Sequence, residues 1–388
     1  LEPDIILTDE QKILIQKLKS WYFKRVKPYF AYSGAPGTGK TTVINALIDE
    51  LKLKEDEFIT AAYVGKAVLV LLRKGLRAST IHSLIYNVYP EVINPPANST
   101  EKPKIRLKFA LKDKLDPNLK LIIIDEATMV NDKMKDLILS FGIPVVFIGD
   151  INQLPPVFGI SSVMLKPDFI LTQLMRQKEN DPIVMFTQMI LKGEPIRTGT
   201  YGASRVIDYH SIDKSLLTDY DMIICKKNKT REMLNRKIRE DVLHRTSIDP
   251  VIGDKLICRQ NNRDHYIGQF FLTNGLIGYV ESIDKSSLYK GYLSIDFRPD
   301  FLDTEVFEDV ELDYKYIRLE FNERNEYGMS NFNKFEYGYA ITSHLSQGSE
   351  ADNVLFIDEF FWDKDLNRKA SYTAVSRAKK SITIVKYM

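Results

Sequence analysis

The chain has 388 residues, 44% of them hydrophobic and 27% charged, with a formal net charge of +2 at pH 7. That length exceeds one ordinary core and implies two or more domains of globular composition, while the near-neutral charge leaves any nucleic-acid contact to a local basic groove. Cys225 and Cys258 are the only cysteines and each sits beside apolar residues, which excludes a disulfide framework or zinc site. No apolar run approaches a membrane span and no signal peptide is visible, so a cytosolic, reducing setting is expected.

Near the start of the chain, Leu7-Thr8-Asp9-Glu10-Gln11 precedes a first helix. Thr8 and Gln11 have the spacing of a capping box. The alternative use of Gln11 is to hold the base of a nucleotide with its amide. Tyr29 to Tyr32 reads as a strand and Thr42 to Ile48 as a helix, with Gly34-Ala35-Pro36-Gly37-Thr38-Gly39-Lys40-Thr41-Thr42 between them. This stretch fits the phosphate-loop pattern G-x-x-x-x-G-K-[ST]. Glycines let successive backbone N–H groups face one anion, and the following helix adds its positive end. Lys40 then reaches the β- and γ-phosphates of ATP, and Thr41 holds Mg²⁺.

Residues 86 to 112 carry turn signals around the alternating run Lys104 to Phe109, which predicts a protruding hairpin. Leu121 to Ile124 and Val145 to Ile148 are short, apolar and β-rich, as parallel strands buried on both faces are. Asp125-Glu126 follows the first of these. An acidic pair there suits Mg²⁺ work, with Asp125 holding the metal through water and Glu126 polarising the attacking water; a helix N-cap is the structural alternative. Gln153 follows the second strand, placed to touch a γ-phosphate or attacking water or else to sit in a polar turn fixed by Pro155 and Pro156. A second α/β pattern follows, with strands at 222–225, 354–357 and 382–385 and a helix from Thr230 to Asp241. Residues 276 to 335 read as a small all-β insertion within it. Arg176 and Arg377 stand out because a guanidinium aimed at a γ-phosphate stabilises transition-state charge. The fold class expected is α/β, with a phosphate-loop domain of doubly wound type.

In this order the motifs resemble superfamily 1 helicases of the B class, the 5′ to 3′ RecD and Dda-type DNA helicases. The stretches that carry the resemblance are Gln11; GAPGTGKTT at 34–42; ITAAYVGKAV at 59–68; STIHS at 79–83; IIIDEAT at 122–128; FIGDINQLPPV at 147–157; LMRQ at 174–177; YAITSHLSQGSE at 339–350; and YTAVSRAKK at 372–380. They cover nearly the whole chain. Its compact length, without a long N-terminal extension, looks more like small phage Dda-type enzymes than cellular RecD, so a bacterial or phage-infected host cytoplasm is implied.

The resemblance implies two RecA-like domains: 1–85 with 113–175, and 176–275 with 336–388. A pin at 86–112 and an SH3-like insertion at 276–335 complete the expected organisation. Lys40, Thr41, Asp125, Glu126, Gln153, Arg176 and Arg377 would bind and split ATP, helped by Gly37, Thr38, Gly39, Thr42, Gly348 and Glu350. Thr60, Thr80, His82, Asn228, Asn274, Thr342, His344 and Ser346 fall where such enzymes touch single-stranded DNA. Phe109 would be the wedge of the pin. The implied partners are single-stranded DNA, single-strand/duplex junctions, and a single-strand-binding protein or replication and recombination proteins. Tyr63-Val64 stands where the family usually has Pro-Thr. Tyr63 is therefore expected either to stack on a base, worth about 1–3 kcal/mol, or to fill core. Ser376 stands where Thr is common.

Three other classes share parts of this pattern. An RNA helicase of the same superfamily would use the same phosphate chemistry. A nucleotide-gated binding module would not need the full hydrolytic set of Glu126, Gln153 and Arg377. An AAA-type remodelling ATPase needs a helical lid, which the β-rich insertion and the terminal YTAVSRAKK argue against.

Overall fold

The computed structural model describes residues 7–93, 104–156, 159–174, 181–212, 214–268, 270–286, 288–328 and 330–386. The chain divides into two compact units, one of Leu1–Tyr63, Ala67–Val88 and Phe109–Met185, the other of Val64–Lys66, Tyr89–Lys108 and Phe186–Met388.

In the first unit, helix α1 (Asp9–Lys24) starts on a capping box. Thr8 accepts from the Gln11 N–H and the Gln11 side chain accepts from the Thr8 N–H, so two orphan donors of the helix start are satisfied together. Strands β1 (Tyr29–Gly34), β2 (Phe58–Ala62) and β3 (Ala78–Thr80) follow in chain order, with helix α2 (Lys40–Leu51) after β1. Strands β4 (Tyr86–Ile93) and β5 (Lys104–Leu111) pair as a two-stranded sheet, whose residues 89–93 and 104–108 are grouped with the second unit. Strands β6 (Leu121–Asp125), β7 (Val145–Gly149) and β8 (Phe169–Leu171) complete a six-stranded sheet of order β3-β2-β6-β7-β1-β8. Every pairing in it is parallel. The strands are short and apolar because helices cover both faces. Ile122, Ile124, Val145 and Phe147 are fully buried among Ile81, Ile85, Val130 and Ile138, each contributing about 1.5–3 kcal/mol of burial.

The second unit contains strands β9 (Gly199–Tyr201), β10 (Ser204–Asp208), β11 (Met222–Cys225), β12 (Lys255–Cys258), β13 (Asn262–Ile267), β14 (Phe270–Leu272), β15 (Ile277–Asp284), β16 (Tyr292–Pro299), β17 (Phe307–Asp313), β18 (Phe335–Tyr337), β19 (Ala340–Thr342), β20 (Ala351–Asp358) and β21 (Ala378–Lys386). Six of them form a sheet of order β19-β11-β20-β21-β10-β9, parallel except for the edge strand β9. A separate antiparallel sheet has the order β17-β16-β15-β12-β18. It reaches beyond the 276–335 span expected from composition, because β12 and β18 pair into it. Residues Thr230 to Asp241, expected as one helix, form an α-helix over Asn228–Lys237 and a π-turn over Ile238–Val242.

The carboxylate of Glu336 anchors this second sheet electrostatically. It is buried among Arg231, Arg259 and Arg324 and accepts from the Tyr316 hydroxyl. Burial alone would raise its pKa, yet three guanidiniums outweigh that and hold it below the usual carboxylate value.

Candidate functional site

The carboxyl ends of β1, β6, β7 and β8 are neighbours in the first sheet, so the segments that follow them converge. Ligands of open parallel sheets bind at such an edge. After β1 the loop Ala35–Gly39 folds back on itself. Thr38 donates to the Ala35 carbonyl from both its N–H (3.3 Å) and its hydroxyl (2.8 Å). The turn closes so tightly that a Cβ on Gly34 would fall 2.4 Å from the Thr38 Oγ1. Gly39 takes φ +78° as the cap of α2, a left-handed conformation that costs glycine nothing. The N–H groups of the first turn of α2 are thereby presented to the loop.

The Lys40 ammonium donates to the carbonyls of Gly34 (2.8 Å) and Ala35 (3.3 Å). Thr41 Oγ1 accepts from the Lys74 ammonium at 3.1 Å, an oxygen already facing a cation. Thr42 follows on the first turn of α2. Gln11 is fully buried. Its Oε1 accepts from Thr8 N–H (2.9 Å) and its Nε2 donates to the Thr38 carbonyl (3.0 Å). The cap is therefore real, and the same amide also clamps the phosphate loop.

Asp125 ends β6, and its Oδ1 accepts the Glu126 N–H at 2.9 Å. Glu126 has φ +50° and heads the short 3₁₀ turn Ala127–Met129 without a side-chain cap bond. A non-glycine residue in this region carries backbone strain, of a kind that clusters at functional sites. After β7, Asp150 accepts the Asn152 N–H (3.0 Å) and its carbonyl accepts the Gln153 N–H (2.9 Å). Gln153 is 3% exposed, and its Oε1 finds no donor among the described residues. Leaving a buried acceptor unmet costs about 1–3 kcal/mol, so this oxygen is the clearest sign of an external donor at the edge. Arg176 lies outside the described residues.

Two residues of this edge escaped the motif reading. Tyr32 is fully buried in β1 and its hydroxyl donates to the Lys40 carbonyl at 3.0 Å; burial and then the charge of Asp125 push its pKa up. A tyrosine inside an apolar parallel strand was the available signal, since a buried phenol needs a partner. Glu10 accepts from the N–H groups of Thr172 (2.8 Å) and Gln173 (2.9 Å) and from the Thr172 hydroxyl (2.5 Å), fixing the segment after β8. Read as sequence, it is only an acid favoured in the first turn of a helix.

The donors fit a nucleoside triphosphate with Mg²⁺. A threonine hydroxyl and a carboxylate are hard oxygen ligands. Among the described residues no group of three or more His, Cys, Asp or Glu could hold a metal ion.

The DNA-contact candidates of the first unit divide. Thr60 is fully buried and its hydroxyl donates to the Arg77 carbonyl at 2.5 Å. Thr80 is buried and caps the helix Ile81–Ile85 by accepting the Ser83 N–H. Both hydroxyls shape the backbone. The rings instead remain partly exposed and touch in series. Tyr63 meets His82 edge-on (5.5 Å), His82 stacks on Tyr86 (5.9 Å, 24°), and Tyr86 meets Phe109 edge-on (6.1 Å). Tyr63 also packs against the core of the first unit, in line with the core-filling expectation for it. Phe109 lies close to the root of the hairpin, three residues before Lys112, whose N–H donates to the Ile85 carbonyl. The tip, 94–103, lies outside the described residues.

In the second unit Arg377 is 3% exposed at the end of helix Lys364–Val375. Its Nε donates to the Thr373 carbonyl (3.0 Å), Nη1 to the Ser349 carbonyl (3.1 Å) and Nη2 to Ser376 Oγ (3.0 Å). It thereby ties the turn holding Gly348 (φ +72°) and Glu350 to that helix. Glu350 is exposed and pairs with Lys379 at 3.2 Å. Ser346 is fully buried, its hydroxyl donating to the Ser343 carbonyl at 2.8 Å. Thr342 is 5% exposed, and its Oγ1 accepts the Leu345 N–H at 3.4 Å. His344 is half-buried, and burial lowers its pKa. Asn228 opens the helix Asn228–Lys237, and Asn274 is exposed in a turn whose N–H donates to Asn261 Oδ1 (2.9 Å).

Residues 24–159 match the AAA domain family and residues 337–385 the UvrD-like helicase C-terminal domain. The chain is 26% identical over 89% of its length to the ATP-dependent RecD2 DNA helicase of Deinococcus radiodurans, covering 45% of that protein. It is 23% identical over 91% of its length to MJ1519 of Methanocaldococcus jannaschii, covering 36% of it. The chain thus spans about a third to a half of the curated relatives it matches. Among solved structures it is similar to a Pif1 helicase studied at forked double-stranded DNA (TM-score 0.58, 20% identity, 98% of this chain and 92% of that one). It is also similar to Pif1 of Candida albicans (TM-score 0.54, 17% identity, 99% and 96%). These likenesses give the two parallel sheets as RecA-like domains. An AAA domain and a UvrD-like helicase C-terminal domain are thus matched in the order the motifs require, and the chain is similar to the superfamily 1 helicases of the B class.

Proposed function

We propose that the protein is an ATP-dependent DNA helicase that moves 5′ to 3′ on single-stranded DNA and separates duplex strands. The observation that carries this is the convergence, at one sheet edge, of the Lys40 loop, the Asp125–Glu126 turn and the unmet Oε1 of Gln153. A binding module alone has no use for the last two. In this reading Gly37, Thr38, Gly39 and Thr42 cradle phosphate, and Lys40 neutralises the β- and γ-oxygens. Gln11 holds the base, while Gly348 and Glu350 add phosphate and ribose contacts. Thr41 and Asp125 hold Mg²⁺, which would offset phosphate charge when bound. Glu126 polarises the attacking water and Gln153 orients it; Arg176 and Arg377 stabilise the charge that develops on the γ-phosphate.

ATP closes the two RecA-like domains and hydrolysis releases them, a nucleotide-driven switch. With Asn228, Asn274, Thr342 and His344 on one domain and Tyr63 and His82 on the other, alternating grip becomes a step along DNA. One base-pair step costs about 1.4 kcal/mol of stacking. The hairpin with Phe109 serves as the pin and the antiparallel sheet as an SH3-like clamp. Single-strand/duplex junctions are the substrate. A strand contact of this kind is salt-sensitive and largely sequence-blind.

The test is ATP-driven strand separation on two duplexes that differ only in the polarity of the single-stranded tail. Unwinding from the 5′ tail alone is the expected result. Unwinding from the 3′ tail alone would overturn the direction and the strand contacts that go with it.

A further inference from the structure

The loop that follows β20 is fixed at its base and open at its tip. The Glu359 carboxylate accepts from the N–H groups of Lys226 (2.9 Å) and Lys227 (3.1 Å) and from the Thr230 hydroxyl. The Lys226 ammonium is buried beneath the loop, 2.6 Å from Asp358 and 2.7 Å from Asn367 Oδ1. The same Asn367 oxygen accepts the Phe361 N–H at 3.1 Å, and Asp363 caps the next helix through the Leu366 N–H at 2.9 Å. A loop held this firmly nevertheless leaves Phe360 57% and Trp362 93% exposed. The two rings meet edge to face, 5.7 Å between centroids. At that exposure both faces of the indole are open to solvent.

The position of the pair narrows what it can take. β20 runs parallel beside β11, and β11 parallel beside β19. One sheet edge therefore carries Asn228 after β11, His344 after β19 and the two rings after β20. Glu359 grips the turn that starts the Asn228 helix, so the rings and that turn form one piece. The acids around the rings are already engaged. Glu359 and Asp363 bond backbone N–H groups, and Asp365 pairs with Arg368 (2.5 Å) and Lys369 (3.2 Å). Lys227, Lys229 and Lys364 are exposed and have no acidic partner among the described residues. Flat rings with open faces beside uncompensated lysines match a base and its phosphate. A protein anchor would instead sit inside a contiguous apolar patch.

We infer that Phe360 and Trp362 form a base-stacking site for single-stranded DNA, which extends the strand path of the second unit past Asn228 and His344. This inference rests on the strand-binding reading above and adds to it a site that no helicase motif of the chain contains.

The tryptophan content makes the test direct. Trp21 is the only other tryptophan; it is buried, with its Nε1 donating to the Lys27 carbonyl at 2.9 Å. Indole fluorescence of the whole chain is therefore titrated with an oligothymidylate of about 16 nucleotides, while a dye-labelled copy reports binding by anisotropy. Wild type is expected to bind with quenching. Trp362→Phe should bind within a few-fold but without that quenching. Trp362→Ala should weaken binding about 5- to 150-fold, the range of one stacked base. Binding by anisotropy with no quenching, and unchanged in Trp362→Ala, would overturn the site while leaving the strand-binding reading intact. Absence of any oligothymidylate binding by wild type would overturn both.

Discussion

The side chain of Gln11 donates to the carbonyl of Thr38 across 3.0 Å while its other atom closes the capping box of α1. One amide thus links the start of the first helix to the phosphate loop, and helix order and loop shape are coupled. Gln11→Ala is expected to lower stability by about 1–2 kcal/mol, the sum of a lost cap and a buried carbonyl left unmet, and to raise the KM for ATP. Thermal melts with and without nucleotide would check it. A change in KM with no change in melting would mean that the amide acts on the nucleotide alone.

Lys40 rests on loop carbonyls that other N–H groups shape, and the fold does not hang on it. Lys40→Ala should abolish turnover, leave strand binding largely intact, and shift melting little. Steady-state ATP hydrolysis and oligonucleotide anisotropy on the same preparation separate these effects. Surviving turnover would move the phosphate site elsewhere.

Gln153 has the opposite signature, a buried oxygen that is a burden on the fold. Gln153→Met keeps the volume and removes the unmet acceptor, so stability should hold or rise by up to about 1 kcal/mol. Turnover should fall about 100-fold or more if the amide orients the attacking water. Melting temperature and kcat moving in opposite directions is the expected outcome, as at other sites where function is held against stability.

Arg377 is bonded through three nitrogens to Thr373, Ser349 and Ser376. Arg377→Ala strands two carbonyls and should cost about 3 kcal/mol; Arg377→Lys cannot span the same acceptors. Turnover measured well below each variant's melting temperature should be low in both. Full turnover in a folded Arg377→Lys would reduce the role of Arg377 to holding the Gly348–Glu350 turn.

What could be read from sequence was contiguous in sequence. The loop at 34–42 and the turn after Ile124 keep their reactive groups within a few residues of one another, so pattern and geometry coincide. Long-range partners gave no such signal. Glu359 clasps Lys226 and Lys227 from about 130 positions away, and Glu10 reaches Thr172. The four residues of β12 carry no mark of which sheet they join, since a short apolar run suits either. Thr60 and Thr80 fall within strand-contact motifs, but their hydroxyls bond locally, as Ser and Thr side chains often do.

His82 lies between the rings of Tyr63 and Tyr86, and burial lowers its pKa below the ordinary 6.5. As pH falls through 6.5 the unfolded chain therefore takes up a proton before the folded one does. The stability linked to this group is complete above 6.5, declines below it, and stops declining once the folded-state pKa is passed. His344 shifts in the same direction, so the two add. His82→Phe keeps the ring and removes the proton; the fall in melting temperature between pH 7.5 and pH 5 should shrink without vanishing. If the neutral ring is what matters for the strand, His82→Phe should also retain oligonucleotide affinity at pH 7.5, where His82→Ala, which breaks the series from Tyr63 to Phe109, should lose it. Equal loss in both variants would show that the imidazole nitrogens, and not the ring face, contact the DNA.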